Sequence, residues 1–248
     1  MTIMDELLKD DYSLEQAESL QIKYLNQIRS SYDKEQIVSN VDNIKTITGV
    51  DLSYYNKEGN EYGIACAVLW NIEQERMEKY CLSQDRIKFP YKPGFLGFRE
   101  CKLLAKAVLK LPKRPNLIMC DGHGKIHPKR FGEAVQLGVA LDIPTIGIAK
   151  NPFIGYSDWN EIKRIKGHKK PIWAEDPHLN IESSNELLGY VICLNNDSKP
   201  VFISEGYKTT LDFALKISLI TSKGHRQPEP LYLADNLSRK KVREIIID

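Results

Sequence analysis

Three carboxylates stand where the local pattern argues against a carboxylate. Asp51 lies inside the β-rich run Thr48-Gly49-Val50-Asp51-Leu52-Ser53, where an acid is out of place by strand propensity. Asp121 ends the apolar run Leu117-Ile118-Met119-Cys120 and opens the turn Gly122-His123-Gly124, which puts it at the mouth of a sheet with backbone free to approach a ligand. Glu100 precedes Leu103, Leu104, Ala107 and Leu111 at helical spacing, so it heads a stripe that must face a core. A carboxylate there needs a cation or hydrogen bonds. Three acids pointed inward at strand and helix ends form an oxygen-donor site for Mg²⁺, or Mn²⁺ as a substitute. Such a site activates water and stabilises a phosphate under in-line attack. Lys150 ends the run Thr145-Ile146-Gly147-Ile148-Ala149 and shares the sheet edge with Asp121 if the two strands are parallel neighbours. It would hold a phosphate or pair with a ligand carboxylate. Taken singly, each acid also reads as a cap or a surface turn, and Lys150 as a strand-end lysine reaching solvent.

The elements that must position these groups follow from periodicity. A helix is expected over Ser13–Asp33, then strands over Ile44–Tyr55, Tyr62–Trp70 and Arg76–Ser83, joined by short polar turns as an antiparallel meander. Next come a helix over Phe98–Leu111, a strand over Asn116–Cys120, a helix over Lys129–Leu141 and a strand over Thr145–Ala149. Short apolar strands alternating with helices imply parallel strands covered on both faces. Residues 151–185 read as polar and irregular, with a basic run from Lys163 to Lys170. Strands near Leu187–Leu194 and Pro200–Ser204 and helices over Thr210–Thr221 and Tyr232–Ile246 close the chain. Thr209 and Asp212 fit a capping box, which leaves Asp212 structural. The expected architecture is α/β and ribonuclease H-like: a central mixed sheet, antiparallel meander plus parallel strands, flanked by helices in a single domain over residues 1–248.

Bulk properties set outer bounds. The chain has 248 residues, 42% hydrophobic and 27% charged, with a net charge of +2. That balance neither requires nor excludes a nucleic-acid partner. No apolar run has the roughly 18–20 residues of a membrane span. The acidic N-terminus resembles neither a signal nor a transit peptide, so a cytoplasmic protein is expected. Cys66, Cys81, Cys101, Cys120 and Cys193 are odd in number and scattered, as reduced buried thiols are. Cys120, His123 and His127 suggest zinc, but strand alternation turns Cys120 away from Asp121 and no fourth soft ligand has matching spacing. No GxGxxG follows a strand, which disfavours a dinucleotide fold.

Five segments together resemble the endonuclease V family: Thr48-Gly49-Val50-Asp51-Leu52-Ser53-Tyr54; Pro90-Tyr91-Lys92-Pro93-Gly94-Phe95-Leu96-Gly97-Phe98-Arg99-Glu100; Asp121-Gly122-His123-Gly124 with His127-Pro128; Pro144 to Lys150; and Arg226-Gln227-Pro228-Glu229-Pro230 with Leu233-Ala234-Asp235. They occur in family order from Gly49 to Asp235. The resemblance implies a metal-dependent nuclease that recognises inosine in DNA or RNA and cuts the second phosphodiester bond on its 3′ side, leaving a 5′-phosphate. It implies Asp51 and Asp121 as metal ligands, Glu100 as a further ligand or water-positioning group, and Lys150 as the phosphate or nucleophile stabiliser. It implies Pro90-Tyr91-Lys92-Pro93 as a wedge, which suits two prolines stiffening a loop that holds Tyr91 out to stack. A flipped base would enter a pocket of Gly94, Leu96, Gly122 and Gly124 with His127 nearby. A monomer without membrane attachment is expected.

The sequence departs from the family pattern at His123, where glutamine or asparagine is more usual, and at Tyr207, where many bacterial members carry a histidine thought to assist the site. The second departure keeps open an inosine-binding protein with weak or lost cleavage. Another ribonuclease H-like nuclease, such as a junction resolvase, is the other alternative.

Overall fold

Apolar alternation along residues 46–86 folds as expected, into three long strands. The computed structural model describes residues 2–30, 36–177 and 185–247. In chain order its elements are α1 (Ile3–Leu7), α2 (Leu14–Ser30), β1 (Thr46–Lys57), β2 (Asn60–Asn71), β3 (Arg76–Arg86), α3 (Leu96–Leu109), β4 (Leu117–Cys120), α4 (Glu133–Leu141), β5 (Thr145–Ala149), β6 (Lys169–Trp173), β7 (Leu187–Ile192), β8 (Val201–Glu205), α5 (Leu211–Ile220) and α6 (Glu229–Ile247). The β1–β2 hairpin turns through Glu58 and Gly59, both at positive φ, the backbone that matches strand twist in a two-residue loop.

The strands form one sheet in the order β3-β2-β1-β4-β5-β8-β7-β6. β1, β4 and β5 are mutually parallel, and every other pairing is antiparallel. This is the ribonuclease H-like mixed sheet that the element order predicts. Among the described residues no helix is long and apolar enough to cross a membrane.

Alternation divides the sheet into two faces. Val50, Ile118 and Cys120 join Leu103, Leu104, Ala107 and Leu137 in the core beneath α3 and α4. Ile47, Leu117, Met119, Ile146 and Ile148 join Phe213, Ile217 and Leu231 beneath α5 and α6. Side chains two apart share a face. The series 47-49-51, 117-119-121 and 146-148-150 therefore all point toward α6. Val50 pairs with Cys120, so the next step in register sets Asp51 beside Asp121 where β4 stops.

Differences from the sequence expectations have local causes. The helix expected from Lys129 begins at Glu133, because His127 and Arg130 are held in a turn, with Arg130 N donating to the His127 carbonyl at 2.8 Å and Arg130 at φ 54°. The polar stretch 151–185 contains β6, an edge strand that pairs with β7; its residues 178–184 lie outside the described residues, as do 31–35 at the end of the first expected helix. Thr210, not Thr209, caps α5 by accepting from Phe213 N at 3.3 Å, while the Thr209 hydroxyl donates to the Thr145 carbonyl at 2.8 Å.

α6 seats so tightly on β1 that Gly49 has no room for a side chain. A Cβ there would lie 2.2 Å from the Pro230 carbonyl carbon and 2.6 Å from Leu231 N. Because the obstacle is backbone, Gly49→Ala must lift the start of α6 off the sheet. The expected cost is about 1–3 kcal/mol, read as a lower denaturation midpoint. An unchanged midpoint would show that α6 is not fixed by this contact.

Candidate active site

Parallel strand ends, one helix face and two turns converge on a cleft of about 440 Å³. Asp51 from β1, Asp121 after β4 and Asp235 from α6 each offer a carboxylate oxygen, all within 4.8 Å of one another. Asp51 is 9% exposed and accepts a hydrogen bond from the Ser238 hydroxyl at 3.0 Å. Lys150 Nζ lies 2.5 Å from Asp121 Oδ2 and 3.3 Å from Asp235 Oδ1. The Lys150 backbone is fixed in turn, since Arg226 donates to its carbonyl and to that of Pro200. Asp121 and Lys150 thus meet at the same edge, as parallel pairing of their strands implies.

Glu100 approaches from the opposite face. It sits on the first turns of α3, buried, and accepts from the Tyr54 hydroxyl at 2.5 Å. Arg99 extends this chain, donating to Tyr54 at 3.1 Å, to the Phe89 carbonyl at 2.6 Å and to Glu61. Glu100 borders the same cleft but lies outside the group of three carboxylates within 4.8 Å. The sequence-based set Asp51, Glu100 and Asp121 is thus brought into one cleft, while the tight triad contains Asp235 in place of Glu100.

Among the described residues, five acids border the cleft (Asp51, Glu100, Asp121, Glu133 and Asp235) against Lys92, Lys150 and Arg239. Burial, then the charges of Asp121 and Asp235, push the Asp51 carboxyl well above the ordinary range. Burial, with Asp121 adding to it, raises Glu100 to about 7 although the Tyr54 bond pulls the other way. Burial, then Glu100, Asp121 and Asp51, push Glu133 well above its usual range. Burial disfavours the Lys150 charge, yet Asp121, Asp235 and Asp51 more than offset it and raise its pKa. An all-oxygen donor set with this excess of negative charge fits a hard divalent cation. Cys120 is buried and outside the triad, in keeping with the argument against zinc.

The loop 90–95 forms one wall. Tyr91 is 73% exposed at its tip. The loop is pinned behind by the Gly94 carbonyl, which accepts from Gln21 Nε2 at 2.8 Å and His127 Nε2 at 2.9 Å. His127 Nδ1 accepts from Lys129 N at 3.2 Å and Phe131 N at 3.4 Å, so both ring nitrogens are occupied. Burial holds both His127 and His123 down at about 4, hence neutral. Phe153 packs over both rings, with centroids 5.8 and 5.7 Å away. Tyr91, Lys92, Pro93, Gly94, Leu96, Gly122 and His127 all border the cleft. Pro90 stands outside it at the start of the loop, and Gly124 packs away from it, its N–H donating to Ser204 Oγ at 3.0 Å. A Cβ on Gly124 would meet the Glu205 carbonyl oxygen at 1.9 Å, so this glycine serves the packing of the turn against β8.

Tyr207 does not reach the carboxylates. Its hydroxyl donates to Asp142 at 3.1 Å, and it borders a separate groove with Tyr24 and Val139. The basic run near Lys163–Lys170 feeds edge strand β6, with Lys170 paired to Glu161 at 2.6 Å, and does not border the cleft.

The chain is similar in sequence and in fold to known proteins. A family model described as Endonuclease V matches residues 26–236. An endonuclease V of Streptomyces avermitilis is 35% identical over 199 residues, covering 80% of this chain and 81% of that protein. The structure of the Bacillus subtilis endonuclease V superposes with a TM-score of 0.80 at 28% identity, over 97% of both chains. That of the Ciona intestinalis endonuclease V, in complex with a 24mer DNA containing an inosine followed by a ribo-adenosine, superposes with a TM-score of 0.71 at 27% identity, over 91% of this chain and 99% of that one.

The charge excess has a measurable consequence. An acid whose folded pKa is raised holds its proton longer folded than unfolded, so stability falls as pH rises from the unfolded value toward the folded one. For Glu100 that window runs from 4.5 to about 7. The metal-free protein should therefore lose stability as pH rises from about 4.5 to about 7, and Glu100→Gln should flatten part of that loss. Because a cation competes with protons, millimolar Mg²⁺ should raise the unfolding midpoint more at the higher pH. An equal rise at both would contradict the carboxylate assignment.

Proposed function

The chain belongs to the endonuclease V family, and from that premise we propose that it cuts nucleic acid at inosine, hydrolysing the second phosphodiester bond on the 3′ side to leave a 5′-phosphate. It is an endonuclease by family. The observation that carries the finer reading is the convergence of Asp51, Asp121 and Asp235 within 4.8 Å beside a cleft whose opposite wall presents an exposed tyrosine. The inosine-containing DNA bound by the Ciona relative supports the choice of substrate.

Asp51, Asp121 and Asp235 would hold a divalent cation, Mg²⁺ or Mn²⁺. When bound, that ion supplies an activated water and neutralises charge on the phosphate. The protein's own groups do the rest. Ser238 fixes the Asp51 carboxylate. Lys150, already charged and beside Asp121, takes a phosphate oxygen or the nucleophile. Glu100, oriented by Tyr54, positions water from the α3 side. Tyr91 stacks into the gap a displaced base leaves, and the pinned Gly94 carbonyl keeps its loop from collapsing. His127, with both nitrogens occupied, acts by holding that loop.

Asp51→Asn and Asp121→Asn should each lower cleavage of an inosine-containing strand by at least about a hundredfold in Mg²⁺ and in Mn²⁺, with the fold retained. Near-normal cutting by either variant would remove the metal site. Tyr91→Ala should weaken binding to inosine-containing strands roughly ten- to a hundredfold, the worth of one stacked base, with little change in thermal stability. Unchanged binding would show that Tyr91 is no wedge. Matched single- and double-stranded DNA and RNA substrates establish which the enzyme prefers.

A further inference from the structure

Among the described residues, Glu133 is the one acid in the cleft to which the proposed chemistry gives no task. It is the first residue of α4, 4% exposed, and it borders the cleft together with Leu96, Gly122 and His127. The other acids have partners: Asp51 has Ser238, Asp121 and Asp235 have Lys150, and Glu100 has Tyr54. Glu133 Oε2 is buried with no hydrogen-bond partner. An unpaired buried polar group is costly, and such groups in a native protein need an explanation. The carboxyl lies against Gly122, where a Cβ would come within 2.1 Å of Oε2. It therefore occupies the space a side chain at position 122 would fill, and it is not one of the three clustered aspartates. Its neighbours Leu96 and Gly122 border the cleft and are residues that the family resemblance gives to the base pocket, not to the phosphate.

We infer that Glu133 reads the flipped base, offering a hydrogen-bond donor and an acceptor together to an edge that carries a ring N–H beside a carbonyl. This rests on the inosine reading above and deepens it. On hypoxanthine the carboxyl O–H donates to O6, and the other carboxyl oxygen accepts from N1–H. Xanthine and uracil carry the same N–H and C=O pair, as do guanine and thymine, so this contact selects against the adenine and cytosine edges from which deaminated bases arise. A purine with nothing at position 6 can accept one hydrogen bond at N1 and offers no second. Glutamine reproduces the pair, its amide nitrogen donating to O6 and its carbonyl accepting from N1–H. Leucine, of similar size, offers neither.

The test is a cycle of protein against base. Wild type, Glu133→Gln and Glu133→Leu are compared on strands that differ only in carrying inosine or unsubstituted purine nucleoside, with kcat/KM and Kd measured for each. Wild type should prefer inosine, and Glu133→Gln should keep that preference. Glu133→Leu should lose roughly ten- to a hundredfold on inosine and much less on purine, so its preference collapses. A residue needed only for packing would lower both substrates together. Preference retained by Glu133→Leu, or lost by Glu133→Gln, overturns the role of Glu133 while the inosine reading stands. A wild-type protein without preference for inosine overturns both.

Discussion

Repulsion among carboxylates gathered at one end of the sheet is the constraint on which the rest of the site depends. Among the described residues, five acids border a cleft that supplies three basic side chains. Taking like charges out of water together is unfavourable unless something of opposite sign joins them. Much of the surrounding structure serves to hold them there. Ser238 and Ser53, 2.8 Å apart, tie α6 to Asp51 and β1. Arg226 fixes the Lys150 backbone, and the Tyr54–Arg99–Glu61 chain fixes Glu100. The close seating of α6 on Gly49 delivers Asp235 to the same point. The fold gathers repulsion that raised proton affinity relieves in part and that a divalent cation would relieve more fully.

Much of this was legible in the sequence because it follows from period-two alternation. Asp51 and Asp121 share a face because Ile47 and Leu117 do, and Lys150 joins them through Ile146 and Ile148. Glu100 was legible as a polar residue in an apolar helical stripe. The same logic applies to α6, where Asp235 and Ser238 lie among the buried Leu231, Ala234 and Val242. That signal is diluted by the charged outer face of the helix, so the sequence marks Asp235 as part of a motif without marking it as a ligand. Glu133 and Gln136 stand inside a helix whose every residue is buried, again a polar exception in an apolar setting. β6 was not legible, since an edge strand of lysines and a proline carries no apolar alternation.

The two histidines show how a reactive residue type can serve as scaffold. His127 borders the cleft, yet its ring nitrogens are spent on the Gly94 carbonyl and on two backbone amides. Burial keeps it neutral, which preserves the one tautomer able to make those bonds. His123 Nε2 donates to the Asn151 carbonyl at 3.0 Å, and the ring stacks on Phe153. At Tyr207, the departure from the family pattern, the side chain lies outside the cleft, packed by α4 and bonded to Asp142.

The central claim is that the stored charge is a cation site formed by Asp51, Asp121 and Asp235. Anomalous diffraction from crystals soaked in Mn²⁺ tests it most directly. The account predicts a manganese peak among these three carboxylates, with the Lys150 ammonium drawn off Asp121. A well-ordered cleft with no peak at millimolar Mn²⁺, or a peak held by other residues, would contradict it.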